Sequence, residues 1–160
     1  MFSITVLAMG KLKEKFYLEA AKEYAMRLGA YCKFQLLELP EYRLPQNPSD
    51  AEIQAGLARE AALLRGKMPK DCWKCVLTPE GTQISSPKLA EKLQQLKLRG
   101  VSSACFLIGS SFGLDESIKR EADFQLSMSK MTFPHHLARI MVLEQLYRVE
   151  SIQAGAKYHK

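Results

Sequence analysis

ACFLIGSSFGLDESIKREADFQLSMSKMTFP, residues Ala104–Pro134, contains two strand-like runs that each lead into a loop of small or polar residues. The first run, Ala104–Ile108, is continuously apolar, as expected of a strand covered on both faces in a parallel sheet. It leads into Gly109–Gly113, where small residues allow backbone N–H groups to approach a ligand. Phe124–Met128 is the second run, followed by the loop Ser129–Pro134. Loops at the carboxyl ends of parallel strands form the crevice where open α/β sheets usually bind ligands, so we expect the binding site there.

The composition is that of an ordinary globular protein with a basic surface. The chain has 160 residues, is 47% hydrophobic and 25% charged, and has a formal net charge of +6. A chain of this length is most simply one domain that spans residues 1–160. Its charge favours a polyanionic partner over an acidic protein substrate, although a basic, solvated surface explains the charge equally well.

Neither a membrane nor a secretory compartment is indicated. The apolar start, MFSITVLAMG, has no basic segment before it and is followed by a charged helix. No apolar run approaches the roughly 20 residues of a membrane-spanning helix. Four cysteines without secretory context suggest reduced thiols, so we expect a cytoplasmic protein. They are Cys32, Cys72, Cys75 and Cys105.

Strand and helix patterns alternate along the chain. The predicted elements are strand Phe2–Met9, helix Lys11–Leu28, strand Phe34–Leu39, a helix from the cap Ser49 to Gly66, strand Cys75–Leu77 with a turn at Thr78–Gly81, a helix capped by Ser86 and closed by Gly100, strand Ala104–Ile108, a short helix, strand Phe124–Met128 and helix His135–Ile152. Ser49 and Glu52 fit a capping box. This alternation predicts an α/β fold, a mostly parallel sheet of five to six strands with helices on both faces.

The most conspicuous cysteine motif is explained better by structure than by chemistry. Cys72-Trp73-Lys74-Cys75 has C-x-x-C spacing, but a redox motif needs its first cysteine at a helix N-terminus, and this pair leads into a strand. A zinc site would need two more ligands, and none of the three histidines has the matching spacing. We therefore expect structural thiols and no metal.

The loop Gly109–Gly113 is a weak motif by itself. It lacks the Gly-Lys-Ser/Thr of a phosphate-binding P-loop, and it is not on the first strand, where a dinucleotide fingerprint belongs. Its significance comes from the third, fourth and fifth strands, which all end in loops containing Gly, Ser or Pro. These loops are either ordinary turns or a joint cradle for a nucleotide-like cofactor.

The last predicted helix carries polar groups and an excess of apolar residues. His135 follows a proline at its start, where a neutral histidine is more often a packing residue than a catalyst. Glu144, Tyr147 and Arg148 share a face, and a helix salt bridge explains two of them. The helix is apolar nearly all round, which points to a further partner, most economically a second copy of the chain.

Three motifs together resemble one protein family. LAMGKLKEKF near the start, FLIGxxxGL in the middle and SxMTFPHxLxRxxxxEQLYR near the end, with the final YHK, are similar to the RlmH (YbeA-like) family of ribosomal large-subunit pseudouridine methyltransferases, in the SPOUT superfamily. The resemblance covers the whole length. It implies a C-terminal trefoil knot, S-adenosylmethionine as methyl donor, a symmetric homodimer, and methylation of N3 of a pseudouridine in 23S ribosomal RNA on assembled ribosomes.

The resemblance also implies the site residues. The cofactor is expected against Leu77, Gly109 and the loop Met128, Ser129, Lys130, Met131, Thr132 and Phe133. Cationic groups near the developing anion would assist removal of the N3 proton, and our candidates are Arg148, Tyr158 and His159, with His135 after them.

Two positions depart from the family pattern. Ser110 stands where a second glycine is usual, and it would narrow the pocket if that position required a positive φ. Thr78 stands where an aspartate is common. Neither change removes an obvious reactive group, so we expect activity to survive.

Two interpretations of function remain. The first is the methyltransferase, with the tail of one protomer closing over the cofactor of the other, because the short polar YHK end has no core to join. The alternative is a non-catalytic ribosome-associated RNA-binding α/β module, which the basic charge fits equally well.

Overall fold

The computed structural model describes all residues, Met1–Lys160, as alternating strands and helices. The strands are β1 (Ser3–Met9), β2 (Lys33–Leu39), β3 (Trp73–Thr82), β4 (Ser103–Ile108) and β5 (Phe124–Leu126). The helices are α1 (Lys15–Leu28), α2 (Asp50–Lys67), α3 (Ser86–Leu98), α4 (Glu116–Glu121) and α5 (His135–Gln153).

The strands form one five-stranded sheet in the order β2-β1-β4-β3-β5. Every pairing between neighbouring strands is parallel, so the predicted α/β class and strand number are confirmed. The order also places β3 between β4 and β5. Strands β4 and β5 are therefore not direct neighbours, and their loops meet across the end of β3.

Each face of the sheet has its own hydrophobic core. Alternate residues of β4 divide between them: Phe106 packs with α1, α3 and α5, whereas Leu107 packs with α2 and α4. The continuous apolar run of this strand is thereby explained, because both of its faces are covered. Helices on both faces, as predicted, leave the carboxyl ends of the strands as one open edge.

Helix α5 lies between two other helices, and this position accounts for part of its apolar surround. It packs against α1 on one side and α3 on the other, and Val142, Leu143 and Leu146 are buried in the core that the three helices share. A second chain is therefore not required to cover those residues.

The first predicted helix begins too early. Lys11–Glu14 is a loop and α1 starts at Lys15, because Leu12 is anchored outside the helix: its N–H donates to the Glu38 carboxylate at 2.8 Å. Phe16, an apolar residue in the first turn of α1, is 63% exposed. The helical sequence pattern thus extends over residues 11–14, which tertiary contacts hold in a loop.

Strand β3 and its surroundings differ from prediction in a similar way. The predicted turn Thr78–Gly81 is an irregularity within β3, which pairs with β5 on both sides of a register shift. Gly81 is needed there, since a Cβ atom would lie 2.7 Å from the Gln125 carbonyl oxygen. The α3 cap is Ser85, not Ser86. Strand β5 is also shorter, ending at Leu126.

Candidate functional site

A cleft of about 480 Å³, here called cleft A, lies at the carboxyl ends of β3, β4 and β5. Leu77 and Thr78 come from β3, Gly109 from the end of β4, and the loop after β5 forms the opposite wall. The strand order makes these three ends adjacent, so loops that are far apart in sequence form one enclosure. Apolar side chains such as Leu77 and Phe133 line it beside polar ones such as Ser127 and Thr132.

The β4–α4 loop folds tightly on itself. The Gly113 N–H donates to the Ser110 carbonyl at 2.9 Å, and Gly113 has a φ of +86°. At Gly109, a Cβ atom would lie 2.2 Å from the Gly113 carbonyl oxygen, so only glycine fits. Glycine at position 109 therefore permits the tight fold of this loop, which lines cleft A.

Ser110 causes none of the strain that a glycine-requiring position would produce. It is absent from the residues of positive φ, and its hydroxyl donates to the buried Glu60 carboxylate at 3.3 Å. Burial raises the pKa of Glu60. The serine therefore ties the loop to α2 instead of narrowing cleft A through a forced conformation.

The β5–α5 loop is held by its own serines. Ser127 is buried, its hydroxyl donates to the Ser129 carbonyl at 3.1 Å, and its N–H donates to Thr82 of β3 at 3.0 Å. The Ser129 hydroxyl accepts from the Met131 N–H at 3.0 Å. These bonds shape the wall of cleft A but leave Met131 exposed at its rim.

An ion pair that the sequence did not suggest borders cleft A. The ammonium group of Lys119 donates to the Glu80 carboxylate and, with the nearby Thr78 hydroxyl, lowers the pKa of Glu80 to about 2. Thr78 is buried, and its hydroxyl makes no hydrogen bond of regular geometry. Thr78 is thus a buried polar residue beside Glu80 in the wall of cleft A.

His135, the first residue of α5, lines cleft A. Its Nδ1 atom is buried without a hydrogen bond, and the nearest carboxylate, Glu41, is 4.0 Å away. Burial, and then the neighbouring His136, lower the pKa of His135. The imidazole is therefore neutral near pH 7.

The other three catalytic candidates lie together elsewhere. The tail folds back on α5, where the Tyr158 hydroxyl donates to Glu144 at 3.0 Å and its ring meets Tyr147 edge-on at 4.7 Å. Arg148 pairs with Glu144 and contacts His159 at 3.2 Å. The bond to Glu144 raises the pKa of Arg148. This cluster lines no part of the chain's own cleft A.

Cleft A thus gathers most, though not all, of the residues expected from sequence. Leu77, Gly109, Met128, Ser129, Met131, Thr132, Phe133 and His135 line it. Lys130 is exposed and does not line it, and neither do the three members of the tail cluster.

A buried arginine beside the cleft was also missed. Arg139 of α5 donates to Glu38 at 2.7 Å and to the Met9 carbonyl at 2.9 Å, joining α5 to the ends of β1 and β2. Arg139 lies within the third sequence motif, which indicates a functional or structural role. Its partner Glu38, however, is 101 residues away in sequence. Only the tertiary structure identifies the pair.

The cysteine pair of the C-x-x-C motif lies on opposite sides of the sheet. Cys72 packs with α2 and α4, and Cys75 with α1, α3 and α5. No group of three His, Cys, Asp or Glu side chains is arranged to hold a metal ion. None of the helices is long and apolar enough to span a membrane.

Comparison with known proteins assigns the family. A family model described as Predicted SPOUT methyltransferase matches residues 2–159. A Bifidobacterium adolescentis protein named ribosomal RNA large subunit methyltransferase H is 42% identical over 157 residues, covering 98% of this chain and 99% of that protein. A Methanococcus maripaludis protein given the same name provisionally is 40% identical over 158 residues, 99% of each chain.

The fold has a counterpart among solved structures. A probable methylase family protein from Haemophilus influenzae matches with a TM-score of 0.52 and 13% identity, over 99% of this chain and 70% of that one. This likeness supports the fold alone. The full-length family match and the two relatives show that the chain belongs to the SPOUT methyltransferase family, among the ribosomal RNA large subunit methyltransferase H proteins.

Proposed function

We propose that the chain is an S-adenosylmethionine-dependent methyltransferase that methylates N3 of a pseudouridine in 23S ribosomal RNA, on the assembled ribosome. Membership of a methyltransferase family and the names of its close relatives support the reaction and the RNA class. The observation that carries the proposal is the convergence of three neighbouring strand ends on cleft A.

Cleft A fits the methyl donor in size and chemistry. Its volume, about 480 Å³, falls within the roughly 300–1,000 Å³ typical of small-molecule sites. Leu77, Met128 and Phe133 supply apolar surface for an adenine ring, and the Gly109 backbone allows close approach. When bound, the cofactor supplies a methyl group already activated by its sulfonium.

The protein's task is then to orient the pseudouridine and to remove its N3 proton. His135 is the candidate catalytic group of cleft A, since it lines the cleft and burial favours its neutral form, which can accept a proton. Apolar residues of the cleft, among them Leu77 and Phe133, would exclude water from the reacting atoms.

Arg148, Tyr158 and His159 enter the proposal through a second chain. We propose a homodimer in which the tail of one protomer reaches cleft A of the other, because the cluster lines no part of the cleft of its own chain. Apolar side chains on α1 offer a surface for such a partner: Phe16 is 63% exposed and Met26 is 67% exposed.

The remaining parts of the proposal follow the family. We expect a single domain over residues 1–160 with a C-terminal trefoil knot, at work in the cytoplasm where ribosomes are. The family model's match to residues 2–159 supports one domain.

The decisive experiment is mass spectrometry of ribosomal RNA from cells with and without this chain. Loss of one methyl group on a single large-subunit pseudouridine supports the proposal, and unchanged RNA contradicts it. Calorimetric titration with S-adenosylmethionine distinguishes the methyltransferase from the alternative function. A non-catalytic ribosome-associated module would show no binding at millimolar ligand.

A further inference from the structure

A second cleft of about 640 Å³, here called cleft B, adjoins cleft A at the same edge of the sheet. It is formed by the loop after β1, the long loop after β2, the first turns of α2 and the start of α5. The two clefts share four lining residues, Ser110, Ser111, Phe112 and His135. A ligand in cleft B would therefore lie against the wall that bounds the proposed methyl-donor site.

Cleft B carries cationic side chains that form no salt bridge with an acidic residue. Lys11, Lys13 and Arg43 line it, all are exposed, and none takes part in a salt bridge, unlike the paired Lys15 of α1. A cluster of unpaired cations around a cavity attracts anions, and phosphate is a common choice.

The acidic groups that line cleft B offset only part of this charge. Glu60 is buried, burial raises its pKa, and it accepts hydrogen bonds from the Tyr42 N–H and the Ser110 hydroxyl. Glu41 lies toward His135, at 4.0 Å from its Nδ1. Neither carboxylate is therefore paired with any of the three cations.

The lysines of cleft B are held on a fixed loop. Between them, Leu12 is buried, and its N–H donates to Glu38, the carboxylate that also pairs with the buried Arg139. Arg139 in turn donates to the Met9 carbonyl. A loop anchored in this way loses little backbone entropy when a ligand binds.

The shared wall adds a surface suited to a nucleobase. Phe112 lines both clefts and is 50% exposed, so a face of its ring is open to a ligand. Single-stranded nucleic acids are commonly bound by exposed aromatic rings, on which bases stack, beside cationic grooves that follow the phosphates. An acidic peptide would use the cations but would gain little from Phe112.

We propose that cleft B binds the RNA strand around the target nucleotide, with phosphates against Lys11, Lys13 and Arg43 and a base on Phe112, so that the target base enters cleft A past His135. This inference rests on the proposed function and assigns it an RNA-binding surface. In this arrangement the RNA and the methyl donor contact opposite sides of the wall that the two clefts share.

The test uses the intact protein and a fluorescein-labelled oligouridine of about eight residues, a length within the site sizes of single-strand binding folds, with binding followed by fluorescence anisotropy over a range of salt concentrations. The variant is Lys11→Gln/Lys13→Gln/Arg43→Gln. Its matched control, Lys22→Gln/Lys67→Gln/Arg120→Gln, changes the net charge equally at exposed positions outside both clefts.

We expect at least tenfold weaker binding for the cleft B variant and little change for the control. Each phosphate contact contributes about 0.7 to the slope of log K against log salt for a single strand, so the slope should fall by about 2. Equal binding by both variants, or no binding by the unaltered protein, overturns the inference.

Two further measurements locate the RNA and separate this inference from the proposed function. An oligonucleotide with 4-thiouridine should cross-link to residues of cleft B, Phe112 above all, and cross-links confined to other surfaces overturn the inference. Displacement of the RNA by a polyglutamate peptide at equal charge concentration also overturns it in favour of an acidic peptide. Titration with S-adenosylmethionine should be unchanged in the cleft B variant, whereas failure of the unaltered protein to bind it would count against the proposed function instead.

Discussion

Replacing Gly109 by alanine should disable the methyl-donor site while leaving the rest of the fold in place. A Cβ atom at Gly109 would lie 2.2 Å from the Gly113 carbonyl oxygen and 3.0 Å from a Leu114 side-chain carbon. Cβ contacts under 3.0 Å essentially do not occur, so the Gly113 carbonyl must retreat by most of an ångström. Because that carbonyl belongs to the loop that lines cleft A, the cleft changes shape.

The size of the effect follows from this displacement. Forced overpacking in a well-packed region typically costs about 1–3 kcal/mol of unfolding free energy. A loop displaced by that much loses close contact with its ligand, and we expect S-adenosylmethionine to bind at least tenfold more weakly, a change of about 1.4 kcal/mol. Isothermal titration calorimetry measures the affinity, and urea denaturation measures the stability.

Gly66→Ala is the matched control for Gly109→Ala. Gly66 lies in the last turn of α2, and a Cβ atom there would meet nothing within 4 Å. Alanine should therefore stabilise the helix by about 0.5–1 kcal/mol and leave cofactor binding unchanged. Unaltered affinity in Gly109→Ala at normal stability would refute the reasoning, because cleft A would then not be the cofactor site.

Three other perturbations test separate features. Arg139→Leu should lower the free energy of unfolding, measured by urea denaturation, by about 3 kcal/mol. This is near the lower end for a broken buried ion pair, because Glu38 is 27% exposed and can be rehydrated. An unchanged free energy would contradict a stabilising role for Arg139. Glu60→Gln should become more stable relative to the unaltered protein as the pH rises above 4.5. Burial raises the pKa of Glu60, so ionisation of this carboxyl opposes folding. Parallel pH profiles of the two proteins in thermal denaturation would exclude this effect. Deleting Lys157–Lys160 should abolish methyl transfer in a tritiated-methyl assay and spare the fold, whereas full activity would argue against the tail's role.

The parts of the fold that depend on local pattern could be predicted from the sequence. The apolar run of β4 identifies a strand with two covered faces, and the capping box at Ser49 and Glu52 forms as expected at the start of α2. The alternation of elements was enough to predict a parallel sheet with helices on both sides. Strand ends with small residues then indicated the edge at which cleft A lies.

The parts that depend on long-range contacts could not be predicted. Nothing local shows that Lys11–Glu14 leaves the helical pattern, because the reason is a hydrogen bond from Leu12 to Glu38 on another strand. The Lys119–Glu80 pair joins residues 39 positions apart, and its members carry no motif. The sheet order, which makes β3 the neighbour of both β4 and β5, is likewise a tertiary property.

The wall shared by the two clefts has a thermodynamic consequence. Because Ser110, Phe112 and His135 belong to both clefts, any ligand that shifts them on one side changes the free energy of binding on the other. Such coupling is reciprocal: if the bound methyl donor raises the affinity for RNA by some factor, bound RNA must raise the affinity for the donor by the same factor. Release of the demethylated donor and of the modified strand would then be linked events, governed by the few residues that stand between them.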